Sequence, residues 1–148
     1  MSAHVDEDFA SSVRRRMADA GLTGATVVSA EPESGAFGDA IATLRVEGLL
    51  MRVVRDRGEE FLDIGCSEDP GTFFQYDDVE VALGWRTVED LVSRQTPEPL
   101  DAVLERVGRR LPDLQAALSP GHAGRTLELV RAVEKERGEA FVARLRQR

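Results

Sequence analysis

FGDAIATLRVEGLLMRVVRDRGEEFLDIGC, residues Phe37 to Cys66, reads as three consecutive antiparallel strands. Glu47-Gly48 and Arg57-Gly58 each interrupt a run of apolar residues, which is the signal of a two-residue hairpin turn. Two such turns fix the register. Val46 faces Leu49, Leu44 faces Met51 and Ala42 faces Val53. In the second hairpin Val53 faces Leu62, Met51 faces Ile64 and Leu49 faces Cys66. Side chains alternate between the faces of a strand, so all nine of these residues fall on one face. A slip of one residue would scatter them, so the agreement supports the register and marks this as the core face.

The opposite face is mixed. One cross-strand row is Ile41, Val54 and Phe61; the next is Thr43, Arg52 and Asp63; a third holds Arg45 and Leu50. A solvated antiparallel face is normally polar. Either the N-terminal helix or a loop covers the apolar row, or the row meets a partner. Pairing of Arg52 with Asp63 and of Arg55 with Glu60 accounts for the charges structurally. Arginines on rigid strands could instead clamp an anion.

Working outward, Asp6–Ala20 reads as a helix with Phe9, Val13 and Met17 on one stripe and Gly21 closing it. Arg14-Arg15-Arg16 lies on its exposed arc and reads as a solvated face. Ala25–Ala30 is a short strand, and Glu31–Gly38 a loop punctuated by Pro32, Gly35 and Gly38. The expected sheet therefore has four antiparallel strands. Beyond the Ser67–Thr72 loop, a short helix spans about Asp77–Leu83, with Gly84 at its end. Thr87-Val88-Glu89-Asp90 resembles a capping box that starts another helix, to about Arg94. Leu100–Arg110 is helical, Pro112 breaks or restarts the helix, and Asp113–Leu118 continues it. Arg125–Arg146 is the last helix, with Leu127, Val130, Val133, Phe141 and Leu145 as its buried stripe. Gly138, in its middle, costs up to about 1 kcal/mol relative to alanine. The expected fold is thus a single α+β domain over residues 1–148. Helix and meander occupy residues 1–66, and three to five helices occupy residues 67–148.

Length and composition agree with one domain. The chain has 148 residues, of which 42% are hydrophobic and 31% charged, ordinary values for a globular protein. Cys66 is the only cysteine, so no internal disulfide forms, and its place on the core face makes it a structural thiol. No leader is evident, and charges break every aliphatic run, so a cytoplasmic protein with no membrane span is expected. The net charge of −8 is unevenly placed: residues 1–56 carry −3, residues 57–90 carry −8 and residues 91–148 carry +3. An acidic middle disfavours nucleic acid and favours a basic protein partner, or serves solubility alone.

Candidate chemistry is sparse. Asp77 and Asp78 are neighbours at a helix start, where successive side chains diverge by about 100° and the helix dipole favours acids for structural reasons. His4 and His122 are the only histidines, with no nucleophile elbow beside them, and one cysteine with two separated histidines makes no zinc set. No metal, cofactor or catalytic residue is assigned. Phe73, Phe74, Tyr76 and Trp85 place four of the eight aromatic residues within thirteen positions, among Asp77, Asp78 and Glu80. Aromatic anchors with an acidic rim suit a protein interface. The alternative is that the aromatic residues fasten helices to the sheet.

Phe37-Gly38-Asp39, the run Leu49–Gly65 and the aromatic-acidic helix after it resemble small bacterial α+β proteins of the immunity-protein type, which neutralise a cognate toxin. The resemblance covers about a third of the chain. It implies a non-enzymatic protein-binding module, an acidic inhibitor suited to a basic toxin, and no catalytic residues. The expected partner-binding residues are Phe73, Phe74, Tyr76, Asp77, Asp78, Glu80 and Trp85, with Arg52 and Asp63 on the sheet. Two other readings stand beside it. One is an assembly or regulatory subunit self-associating through its C-terminal helices; the other is a small hydrolase using carboxylates of the meander or of Asp77 and Asp78.

Overall fold

Both hairpins close as the sequence requires. In the computed structural model, which describes residues 8–34, 39–66, 71–94 and 96–147, Glu47 and Gly48 have φ of 46° and 86°, and Arg57 and Gly58 have 54° and 82°. Positive φ at both central residues is the type I′ geometry that matches strand twist. Strands β2 (Asp39–Val46), β3 (Leu49–Asp56) and β4 (Glu59–Cys66) pair in the register expected, Leu44 opposite Met51 and Met51 opposite Ile64. All nine residues assigned to the core face are buried.

The sheet has five strands, not four. β1 (Thr26–Ser34) pairs with β2, and β5 (Phe73–Gln75) pairs with β4, in the order β1-β2-β3-β4-β5. β1 runs on to Ser34, through residues expected to form a loop. It does so as an edge strand, which tolerates Pro32, and its pairing with β2 shifts between Val27 and Ser29 and again between Glu31 and Ser34. β5 is short and begins among residues expected to join helix to sheet. Residues 35–38 of the expected loop Glu31–Gly38, residues 67–70 of the expected loop Ser67–Thr72, and His4 lie outside the described residues.

The described residues form five helices: α1 (Asp8–Asp19), α2 (Tyr76–Ala82), α3 (Val88–Ser93), α4 (Leu100–Ala117) and α5 (Ala123–Arg146). Helix α1 ends in a Schellman motif. The Leu22 amide donates to the Met17 carbonyl at 2.8 Å and the Gly21 amide to Ala18 at 3.0 Å, with Leu22 and Met17 both buried. The same motif closes α2, where Trp85 donates to Glu80 and Gly84 to Val81. The capping box of α3 is formed, the Asp90 amide donating to Thr87 Oγ1 and the Thr87 amide to Asp90 Oδ2. α4 passes straight through Pro112. Proline there forfeits one backbone bond, and burial of Leu104, Val107 and Leu114 on both sides of it holds the helix together. Gly108 on α4 lies against the end of α1: a Cβ there would sit 2.3 Å from the Ala20 carbonyl oxygen.

Val13 and Met17 of α1, Val79 of α2, Leu104 and Val107 of α4 and Val130 of α5 join the core face in one apolar cluster. Ile41, Leu50, Val54 and Phe61 are outside it. Helices α1, α2, α4 and α5 therefore pack against the core face of the sheet. Of the covers that the sequence leaves open for the apolar row, the N-terminal helix is thereby excluded, because α1 lies on the core face. Cys66 is buried and its thiol points to the Leu118 carbonyl at 3.6 Å. Of the stripe expected on α5, Val130 and Val133 are buried, whereas Phe141 and Leu145 are 56% and 51% exposed.

Candidate functional site

The aromatic-acidic segment turns inward. Phe74, Tyr76, Asp78 and Glu80 are buried, while Phe73, Asp77 and Trp85 are half-buried. Phe74 lies opposite Ile64 on the core face. Trp85 packs against the core cluster and carries the Arg110 guanidinium 4.7 Å from its ring centroid. These aromatic residues fasten α2 to the sheet. Phe73 differs: it lies opposite Gly65 on the other face, where a Cβ on Gly65 would come within 3.0 Å of its ring. The Arg52 guanidinium sits 4.3 Å above that ring and holds Asp63 through two hydrogen bonds, at 3.1 and 2.8 Å.

Each acid of the segment meets an arginine. Asp77 accepts from Arg94 at 2.7 Å; Asp78, fully buried, is gripped by Arg137 at 2.7 and 2.8 Å. The two carboxylates thus face different helices and do not converge. Glu80 accepts twice from Arg106, at 3.1 and 3.0 Å, and Glu98 bridges Arg86, Arg94 and Arg106. Burial works against the charges of Glu98, Arg86 and Arg106, yet their mutual hydrogen bonds prevail. The Glu98 carboxyl is held below its usual range and both guanidinium groups above theirs. Arg137 is likewise raised, first by its hydrogen bonds to Asp78. The Tyr76 hydroxyl is buried with no hydrogen-bond partner among the described residues, and burial, then the charge of Glu80, pushes its pKa up.

Sequence reasoning missed Arg86, Arg94, Glu98, Arg106 and Arg137. Their signal was present: a C-terminal third of net +3 following a middle of net −8. Glu60, Asp63, Asp77, Asp78 and Glu80 of the middle are answered within the chain, as is Glu89 by Arg144. Arg16 was also misread as solvated. It holds Glu60 at 2.8 and 3.0 Å and Asp101 at 2.6 Å, joining α1 to β4 and α4. Glu60 is therefore engaged by Arg16 rather than by its cross-strand neighbour Arg55, whose guanidinium lies over the Phe9 ring.

Family models, curated proteins and solved structures give no match to this chain. Among the described residues no cluster of three or more histidine, cysteine or carboxylate side chains could hold a metal. No described helix is long and apolar enough to cross a membrane.

What remains as a surface is the mixed face of the sheet, which lies outside the core cluster. Ile41 and Val54 are half-buried and Phe61 is 40% exposed, making one apolar row across three strands. The strand register places Glu31 beside Ile41 at one end. The next row out carries Asp39 on β2, and Asp56 opposite Glu59. Glu31, Asp56 and Glu59 are exposed. On the other side lies the row of Thr43, Arg52, Asp63 and Gln75. Phe61 also stands at the mouth of a groove of about 520 Å³ between β4 and the segment joining α3 to α4, walled by Leu62, Tyr76, Leu91 and Val103.

Proposed function

We propose that this chain is a non-enzymatic protein-binding module that engages a basic partner through the mixed face of its sheet. The observation that carries the reading is the partly exposed row Ile41–Val54–Phe61 bordered by Glu31, Asp39, Asp56 and Glu59. An apolar centre with a charged rim is the anatomy of an interface, and the sign of the rim selects a cationic surface. The buried carboxylates Asp63, Asp78 and Glu80 are each held by an arginine, an arrangement that fits structural roles. With the resemblance to immunity proteins, the partner class is a basic toxin met in the cytoplasm.

The test is binding to the protein encoded beside this chain, followed by titration calorimetry and stopped-flow at two salt concentrations. The reading expects an association rate that falls as salt rises. It also expects at least about tenfold weaker binding for Phe61→Ala and for the pair Asp56→Arg, Glu59→Arg. Absence of binding, or binding that neither variant alters, overturns it.

A further inference from the structure

Helix α5 has two faces. Thr126, Val130, Val133, Arg137 and Arg144 repeat within one narrow arc and face the rest of the domain, the two arginines holding Asp78 and Glu89. At 100° per residue, Glu134, Gly138, Phe141, Val142 and Leu145 share a second arc about 100° away. Phe141, Val142 and Leu145 are exposed there. Gly138 at the centre of this arc has nothing within 4 Å of a Cβ position. A glycine in mid-helix gives up helix stability, and no close approach among the described residues explains it. A shallow concavity runs past it, lined by Glu134, Lys135, Gly138, Glu139, Val142 and Arg146.

The charges on this stretch are ordered. Along the concavity Glu134 and Glu139 lie toward its start, with Lys135 between them, and Arg146 lies at its end. An antiparallel copy of the same helix, crossing at the level of residue 140, sets Val142 against the Gly138 notch and Glu134 against Arg146. The twofold symmetry makes each pairing occur twice. A parallel copy would instead set like charges side by side. We propose that α5 pairs with α5 of a second copy of this chain, antiparallel, through Gly138, Phe141, Val142 and Leu145. One helix face per copy is a small interface, so the dimer forms in a concentration-dependent equilibrium.

Sedimentation equilibrium on the full chain tests this. The average mass should rise from monomer toward dimer with concentration. Val142→Glu should hold it at monomer with an unchanged circular dichroism spectrum. Glu134→Arg should weaken the dimer at least tenfold, and adding Arg146→Glu to it should restore self-association. A monomer at about millimolar concentration, the range in which weak self-association is still populated, overturns the proposal. So does a dimer that survives Val142→Glu, which would assign it to another surface such as the exposed edge of β1. So does a charge-swapped double variant no tighter than Glu134→Arg alone.

Discussion

Arg137 and Tyr76 are polar side chains with opposite consequences. Asp78 is fully buried and Arg137 is its ion-pair partner at 2.7 Å. Removing that guanidinium by Arg137→Ala strands a buried carboxylate, which costs about 3 kcal/mol of unfolding free energy by urea denaturation. Tyr76→Phe removes a hydroxyl that has no partner among the described residues. The ring still fills its place, so stability stays level or rises within about 1 kcal/mol. Neither role was legible from the residues alone. Asp78 and Tyr76 sit beside Asp77 and Trp85 in sequence, and only the return of α5 tells the inward acid from the rim that local composition suggests.

At the scale of elements, what the chain spells locally is what it builds. Alternation and glycine turns define the register of β2, β3 and β4 to the residue, because one slip would turn the core face outward. The motif Thr87 to Asp90 caps α3 for a similarly local reason. Thr87→Ala removes the acceptor for the Asp90 amide and should cost about 1 kcal/mol, read from thermal or urea unfolding. The backbone amide of Thr87 also holds the Asp90 carboxyl below its usual range. A depressed folded-state pKa gives stability that is fully present above the usual range, about pH 4, and is lost as pH falls through the lower, folded value. Asp90→Asn should therefore flatten part of the acid limb of the stability curve and leave neutral pH behaviour to the loss of the cap. Elements that depend on distant partners were less legible. β5 exists because three residues find the edge of β4, α4 crosses Pro112 because buried leucines flank it, and the end of α5 keeps Phe141 and Leu145 outside.

Across the whole molecule, the charge sorts into two populations that composition cannot separate. Asp77, Asp78, Glu80 and Glu98 are paired with arginines of the last three helices and clamp those helices to α2 and to one another. Glu31, Asp56 and Glu59 stand exposed around the apolar row of the open sheet face. The two populations should answer differently to the same substitution. Asp56→Arg and Glu59→Arg change no described ion pair and should shift the unfolding free energy by less than about 0.5 kcal/mol. Glu80→Arg places a cation among Arg86 and Arg106 in a buried site and should cost more than about 3 kcal/mol or abolish folding. Urea denaturation of the three variants measures both. Equal sensitivity would mean that the rim acids also hold the fold together, and the surplus negative charge would then no longer mark the sheet as a surface free to meet a basic partner.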